Sequence, residues 1–220
     1  LNIPLDESMA FFKRGDFRDQ DLSDAGRVLR YYIAGDLAIS EKDKADYSAF
    51  VVGGMDDTGI LHIINVIRER MNALEIVETI LALEHTYHPE VFILEEGQIQ
   101  KAIGPFLYEE MPKRGIFPNI FGVKPSADKM TRARSIQARV RARGVKFAKD
   151  SDWYQTFEDE CSRFPRDKHD DQVDAFAYLG LTLDKMVDAP TTKEIEDEAY
   201  EDDLERGGFY DMGRSMVTGY

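Results

Sequence analysis

The sequence predicts an α/β fold, a mixed five-stranded sheet with helices on its faces. Three observations predict it. Three β-type runs follow one another between residues 31 and 67, with a turn signal between the second and third. An apolar helical pattern then leads into a short, wholly apolar run, and a second helix and run repeat that order. With 43% hydrophobic residues in a chain of 220, there is enough apolar surface for a proper core.

Residues 1–29 are polar and weakly periodic and read as a linker or the remnant of an upstream domain. The runs Tyr31–Ile39 (YYIAGDLAI), Ser48–Met55 (SAFVVGGM) and Gly59–Ile67 (GILHIINVI) are expected as strands. Asp56-Asp57-Thr58-Gly59 is a hairpin signal, so the second and third are antiparallel neighbours. The short loop 40–47 makes the first another antiparallel neighbour. Asn72, with Glu75 three residues on, caps a helix that should end near Tyr87, because Pro89 disfavours helical geometry before it. Val91–Leu94 (VFIL) has the pattern of a strand buried on both faces. Strand, helix, strand in this order implies a right-handed crossover to a parallel neighbour. A helix at about 99–111 and a run at Phe117–Val123 repeat it, and helices at about 127–143, 152–163 and 170–187 complete the body. The folded domain is expected over 30–189, followed by an acidic, mobile tail over 190–220.

The lone Cys161 excludes an internal disulfide framework and suits a reducing compartment. No apolar run approaches the ~20 residues needed to span a bilayer, so no membrane partner is expected. The first residue is Leu1, which reads as a fragment of a longer chain.

The net charge of −14 argues at face value against a nucleic-acid partner, but its distribution reverses that reading. Between residues 113 and 149 eleven Lys and Arg face one acid, Asp128. Between 190 and 220 nine acids face three bases. A basic strip of this density favours phosphate binding over an ordinary solvated helix face. Lys124, Lys129, Arg132, Arg134, Arg139 and Arg143 are its candidate DNA-binding residues.

Three groups of carboxylates stand out. Asp36 interrupts the first apolar run; a charge there is costly unless it is paired or bound to metal, or unless the strand ends at Gly35 and Asp36 caps a turn. Glu95 and Glu96 directly follow the buried run, where ligands of open α/β sheets collect; the alternative is a solvated loop pair. Alternation lets only one of them share the side of Asp36, and Glu95, which continues the strand, is preferred. In Lys168-His169-Asp170-Asp171-Gln172-Val173-Asp174, three acids share the first turn of a helix. They either cap it through its dipole or hold a cation, and three are more than a cap needs. Hard oxygen donors of this kind suit Mg²⁺ or Mn²⁺. Two such ions, about 4 Å apart, could share a central-strand aspartate. His62, His85, His88 and His169 are scattered and lack zinc spacing.

The pieces AGDLAISEKDKADYSAFVVGG (34–54), VFILEEG (91–97), KMTRARSIQARV (129–140) and FPRDKHDDQVDAFAYL (164–179) together resemble the nuclease domain of phage terminase large subunits. That domain belongs to the RNase H-like superfamily, close to the Holliday-junction resolvases. The last piece is the most specific. The resemblance implies metal-dependent, sequence-nonspecific cleavage of double-stranded DNA at the end of genome packaging, with two Mg²⁺ or Mn²⁺ ions. It places metal-binding catalytic acids on Asp36, Glu95, Asp170 and Asp171, with Asp174 as a helix brace and His169 as a secondary candidate. Asp46 is read as loop structure. The resemblance further implies an upstream ATPase domain, a portal protein and a small terminase subunit as partners, and the host-cell cytoplasm as location. No phosphate-cradling G-x-x-x-x-G-K-[ST] loop occurs, so the expected piece neither hydrolyses ATP nor translocates DNA by itself. The rival readings are a resolvase- or integrase-like nuclease, and a docking module for the portal or motor in which the acids serve only as caps.

Overall fold

The computed structural model describes residues 10–38, 47–98, 103–124, 128–167 and 169–187. In chain order its elements are β1 (Arg18–Asp19), β2 (Arg30–Asp36), β3 (Ser48–Met55), β4 (Leu61–Glu69), α1 (Ala73–Tyr87), β5 (Val91–Glu95), the short α2 (Glu96–Gln98), α3 (Gly104–Arg114), β6 (Ile120–Val123), α4 (Lys129–Arg141), β7 (Val145–Phe147), α5 (Tyr154–Arg163) and α6 (Asp171–Val187). The chain divides after Thr182 into a second unit, 183–220, of which only the end of α6 is described. The expected tail, the loop 40–46 with Asp46, residues 99–102 and Lys168 lie outside the described residues.

The local signals act as expected. Asn72 accepts from the amides of Leu74 and Glu75 while Glu75 returns a bond to the Asn72 amide, so α1 starts with both orphan donors satisfied. It stops at His88, which takes left-handed geometry (φ 44°) just ahead of Pro89. At the β3–β4 turn the Asp56 carboxylate accepts from the amides of Thr58 and Ile60, and Gly59 supplies the positive φ (80°) that the turn needs.

The five expected strands lie in the order β4-β3-β2-β5-β6, with β2, β3 and β4 antiparallel and β5 and β6 added in parallel. The sheet is nonetheless seven-stranded, a correction to the five expected: β7 and then β1 extend it beyond β4, both parallel. Strands of three and two residues carry no legible alternation. They form because β4 offers an open edge of unpaired backbone groups. Within residues 10–29, the described part of the expected linker or domain remnant, the chain joins the fold. Phe12 and Phe17 are buried, and Phe17 packs on Phe147 with ring centroids 4.8 Å apart. Aromatic side chains of this size repay burial even where their spacing shows no period.

The pleat sorts the sheet into two faces. Ile33, Phe50, Val52, Phe92 and Leu94 form one core with Ile76, Val77, Ile80 and Leu81 of α1 and Leu107 of α3. Their sequence neighbours, Ala34, Ala49, Val51 and Ile93, therefore point to the other face, all fully buried. There α6 lies against the sheet closely enough that a Cβ on Gly53 would come within 2.9 Å of Leu179. Phe147, Phe157 and Phe176 pack against one another on this side, with centroids 5.3–6.1 Å apart.

Helices α4 and α6 approach each other at Gly180. A Cβ there would stand 2.5 Å from Ile136 Cβ and 3.0 Å from its backbone, so only glycine permits this contact. Gly180→Ala should therefore destabilise the protein by about 1–3 kcal/mol despite its better helix propensity. Differential scanning fluorimetry should show a drop of about 2–4 °C per kcal/mol. A variant melting at or above the parent would show that the two helices can part without cost.

Candidate functional site

Strand register brings the first two acids together. Ala34 pairs with Ile93 and Gly35 with Leu94, so one step further along the parallel strands Asp36 stands beside Glu95. Leu94 belongs to the core under α1. Alternation therefore turns Glu95 to the opposite face, the one Asp36 also takes. Neighbouring strands are about 4.8 Å apart, which sets the separation of the two backbones. Glu96 instead begins α2 and lies against Gly122 of β6.

Helix α6 brings its acids over the same face. The row Asp36, Ala49, Arg68 runs straight across β2, β3 and β4. Ala49, small and fully buried, lies between them. Arg68 NH2 reaches Asp171 Oδ2 at 3.4 Å and Arg68 Nε faces Glu160 Oε2 at 3.4 Å. Burial pushes the Asp171 carboxyl above its ordinary range, against the pull of Arg68 and His169. The first turn of α6 is bonded from another helix. Glu160 of α5 accepts from the Gln172 and Val173 amides at 2.7 and 3.2 Å and from the Gln172 side chain at 2.6 Å. That leaves the carboxylates of Asp170, Asp171 and Asp174 to face other groups.

Those groups are cations of α4. Lys129 Nζ lies 2.7 Å from Asp170 Oδ1 and 3.2 Å from Asp174 Oδ2. Arg132 NH2 lies 2.7 Å from Asp174 Oδ1, both side chains only 8% exposed. The Arg132 guanidinium also sits 5.4 Å from the centroid of the Tyr178 ring. Burial alone would lower the Arg132 pKa; the hydrogen bond and charge of Asp174, with the charges of Tyr178 and Asp36, raise it. Tyr178 completes the link: its hydroxyl donates to Glu95 Oε2 at 3.0 Å. Burial pushes this phenol above its ordinary value, Arg132 pulls it down, and Glu95 and Asp36 push it further up. It is a donor, not a base.

Sequence reasoning missed Tyr178, Arg68 and Glu160. A signal for Tyr178 existed, since Asp170, Asp174 and Tyr178 are spaced four apart on one helix flank. None existed for Arg68, which joins the site through strand register alone.

The expected basic strip does not form one face. Arg132, expected among the phosphate contacts, is buried and bonded to Asp174. Lys129 stands with the acids, and exposed Lys124 directly follows Val123, the partner of Glu95. Arg134 is exposed on α4. Arg139 donates to the Gly59 carbonyl at 3.2 Å, at the far end of the sheet. Arg143 ends the α4 turn with φ 61°. A helix of 13 residues is about 20 Å long, so α4 carries its charges away from the acids.

Among the described residues no three His, Cys, Asp or Glu side chains gather as a metal cluster. The pair Asp36 and Glu95 offers hard carboxylate oxygens of the type a divalent cation takes, with Asp170 and Asp171 above the same face. In chemistry this donor set fits such an ion.

Breaking the Arg132–Asp174 pair should be costly. Arg132→Met alone should destabilise by about 3 kcal/mol, the low end for a stranded buried charge, because Lys129 still faces Asp174. The double variant with Asp174→Leu should recover most of that in urea unfolding. A single-variant cost under about 0.5 kcal/mol would mean that the pair is effectively solvated.

The chain was compared with known families, curated proteins and solved structures. It matches the terminase RNaseH-like domain family over residues 33–182. No curated protein matches. The human cytomegalovirus terminase nuclease domain, Mn-soaked and inhibitor-bound, superposes with a TM-score of 0.55 at 11% identity, covering 79% of this chain and 94% of that one. The large terminase of thermophilic bacteriophage D6E, in complex with ADP, gives 0.50 at 13% identity, covering 70% of this chain and 39% of that one. The magnesium-bound large terminase nuclease of thermophilic phage G20c gives 0.49 at 21% identity, covering 75% and 84%. The match takes in Asp36, Glu95, Asp170, Asp171, the end of β2 and every strand from β3 to β7, and the chain belongs to the terminase RNase H-like domain family.

Proposed function

We propose that this domain is a metal-dependent endonuclease that cuts double-stranded DNA with little sequence preference during viral genome packaging. One observation carries the reading: the register that sets Asp36 beside Glu95 on the face covered by α6. Family membership supports it, as does the cytomegalovirus relative, a terminase nuclease domain soaked with Mn.

Asp36 and Glu95 would hold the divalent cation, Mg²⁺ or Mn²⁺, with Asp170 and Asp171 completing the shell of a two-ion site. When bound, such ions activate water and offset charge on the scissile phosphate. The chain's own residues prepare for this. Tyr178 fixes the orientation of Glu95 through its hydroxyl. Arg132 ties Asp174 to α4 and so holds the first turn of α6 in place. Exposed Lys124 and Arg134 would contact DNA phosphates without reading bases.

In a full-length chain the domain would act beside an upstream ATPase domain, with the portal and small terminase subunit as partners in the host cytoplasm. The share of the D6E large terminase that it spans is consistent with that arrangement.

The test is a plasmid digest with Mg²⁺, Mn²⁺, Ca²⁺ or chelator. Asp36→Asn should lose Mn²⁺-dependent cutting by more than about 100-fold, beyond what changes one layer out cost at metal sites. It should melt no lower than the parent. An active Asp36→Asn protein would sink the assignment. Adding a four-way junction to the substrates separates this reading from a resolvase, which would prefer the junction.

A further inference from the structure

We propose that Lys129 is a displaceable counter-ion of Asp170 and competes with the divalent cation for that carboxylate. The inference rests on the reading above that Asp170 belongs to the metal site, and it adds a control on how tightly that site holds its ion.

The contacts of Asp170 supply the starting point. Lys129 Nζ donates to Asp170 Oδ1 at 2.7 Å and to Oδ2 at 2.8 Å, so one ammonium sits across both oxygens. The same ammonium lies 3.2 Å from Asp174 Oδ2. Glu160 bonds the Gln172 and Val173 amides, and the Asp170 carboxylate is turned to α4 instead. An ion bonded to either oxygen of Asp170 would share the carboxylate with the ammonium. Two cations on one carboxylate repel each other, and more strongly beside a covered side chain than in open water. Asp170 is such a side chain, 15% exposed. Either Lys129 leaves or the ion is held more weakly.

Helix α4 lets it leave. Asp128 caps α4 by accepting from the amides of Met130 and Thr131, which fixes the backbone around Lys129. The side chain beyond is 51% exposed, so the ammonium can turn into water without moving the helix. A second bridge between the same two helices has the opposite character. Arg132 and Asp174 are covered, and their pair holds α4 against α6 whether or not Lys129 is engaged. Arg68, which faces Asp171 at 3.4 Å, is largely covered too. Among the described cations that face the acids of this turn, Lys129 is the one with half its side chain in water. The residue type agrees with that division. A lysine ammonium is a compact, strongly hydrated charge on a flexible stem, whereas a guanidinium makes a fixed, forked contact and is less well hydrated. Asp170 is thereby neutralised without being closed to a divalent ion.

The experiment is isothermal titration calorimetry of the whole chain with Mn²⁺ and no DNA, which reads binding and not cutting. Lys129→Met, which keeps the stem and removes the charge, should bind Mn²⁺ about two- to fivefold more tightly, the measure of a half-exposed ion pair that no longer has to open. Lys129→Gln should act in the same direction. Lys129→Arg, which keeps the charge, should bind no more tightly than the parent. Arg141→Met takes one charge from the exposed far end of the same helix, about 18 Å away, and should leave the affinity unchanged. In an Asp170→Asn background Lys129→Met should lose most of its gain, because the shared carboxylate is gone. Parental or weaker affinity in Lys129→Met and Lys129→Gln would overturn the competition. So would an equal gain in Lys129→Arg or Arg141→Met, or an undiminished gain in the Asp170→Asn background. In each of these outcomes the parent still binds Mn²⁺, and the metal-site reading stands. A parent that binds no Mn²⁺ would overturn the competition and the metal-site reading together.

Discussion

Two carboxylates side by side at the ends of buried strands repel each other, and much of this structure is arranged around that repulsion. Asp36 and Glu95 are set together by backbone pairing, which their charges cannot alter. What surrounds them compensates. Tyr178 donates to Glu95, Arg132 lies near Asp36 and against Tyr178, and Lys129 and Arg68 stand opposite the acids of α6. A cation-holding site needs unbalanced negative charge, and the fold tolerates it by placing the compensating groups one layer out, where they orient the acids.

Helix α6 is where the constraints meet. One flank carries Asp170, Asp174 and Tyr178 toward the site, while Leu179 packs on the sheet and Gly180 on α4. Its position is set by steric contact at Gly180 and by Glu160, which caps its first turn from another helix. A helix capped by its own acids would have spent them. Bonding from α5 lets the three carboxylates of this turn meet Lys129, Arg132 and Arg68 instead.

Much of the fold was legible because the signals were local. The meander, the capping box at Asn72 and the apolar strand Val91–Leu94 each follow from a short stretch of sequence. The edge strands β7 and β1 were not legible, since two or three residues cannot show a period and their pairing depends on a distant open edge. The basic strip was legible as composition and misleading as geometry. Eleven cations within 37 residues suggest one surface, but α4 turns through every direction over about 20 Å. It buries Arg132, sets Lys129 at the acids and sends Arg139 to the opposite end of the sheet.

By itself the sequence pointed to a kind of chemistry. Carboxylates at a strand interruption, at a strand end and on a helix start, without zinc-type spacing, point to hard cations. That conclusion needs only residue type and local context. It also determined the order of the five longer strands and the main helices, because periodicity and turn residues act over a few positions. Tertiary structure decided which acids face each other. The choice between Glu95 and Glu96 turns on which side of the sheet α1 covers, a contact between segments far apart in the chain. The placing of Arg68 beside the acids is likewise a matter of antiparallel register. Register is a long-range property, fixed by the match of two buried faces, and no stretch of sequence carries it alone.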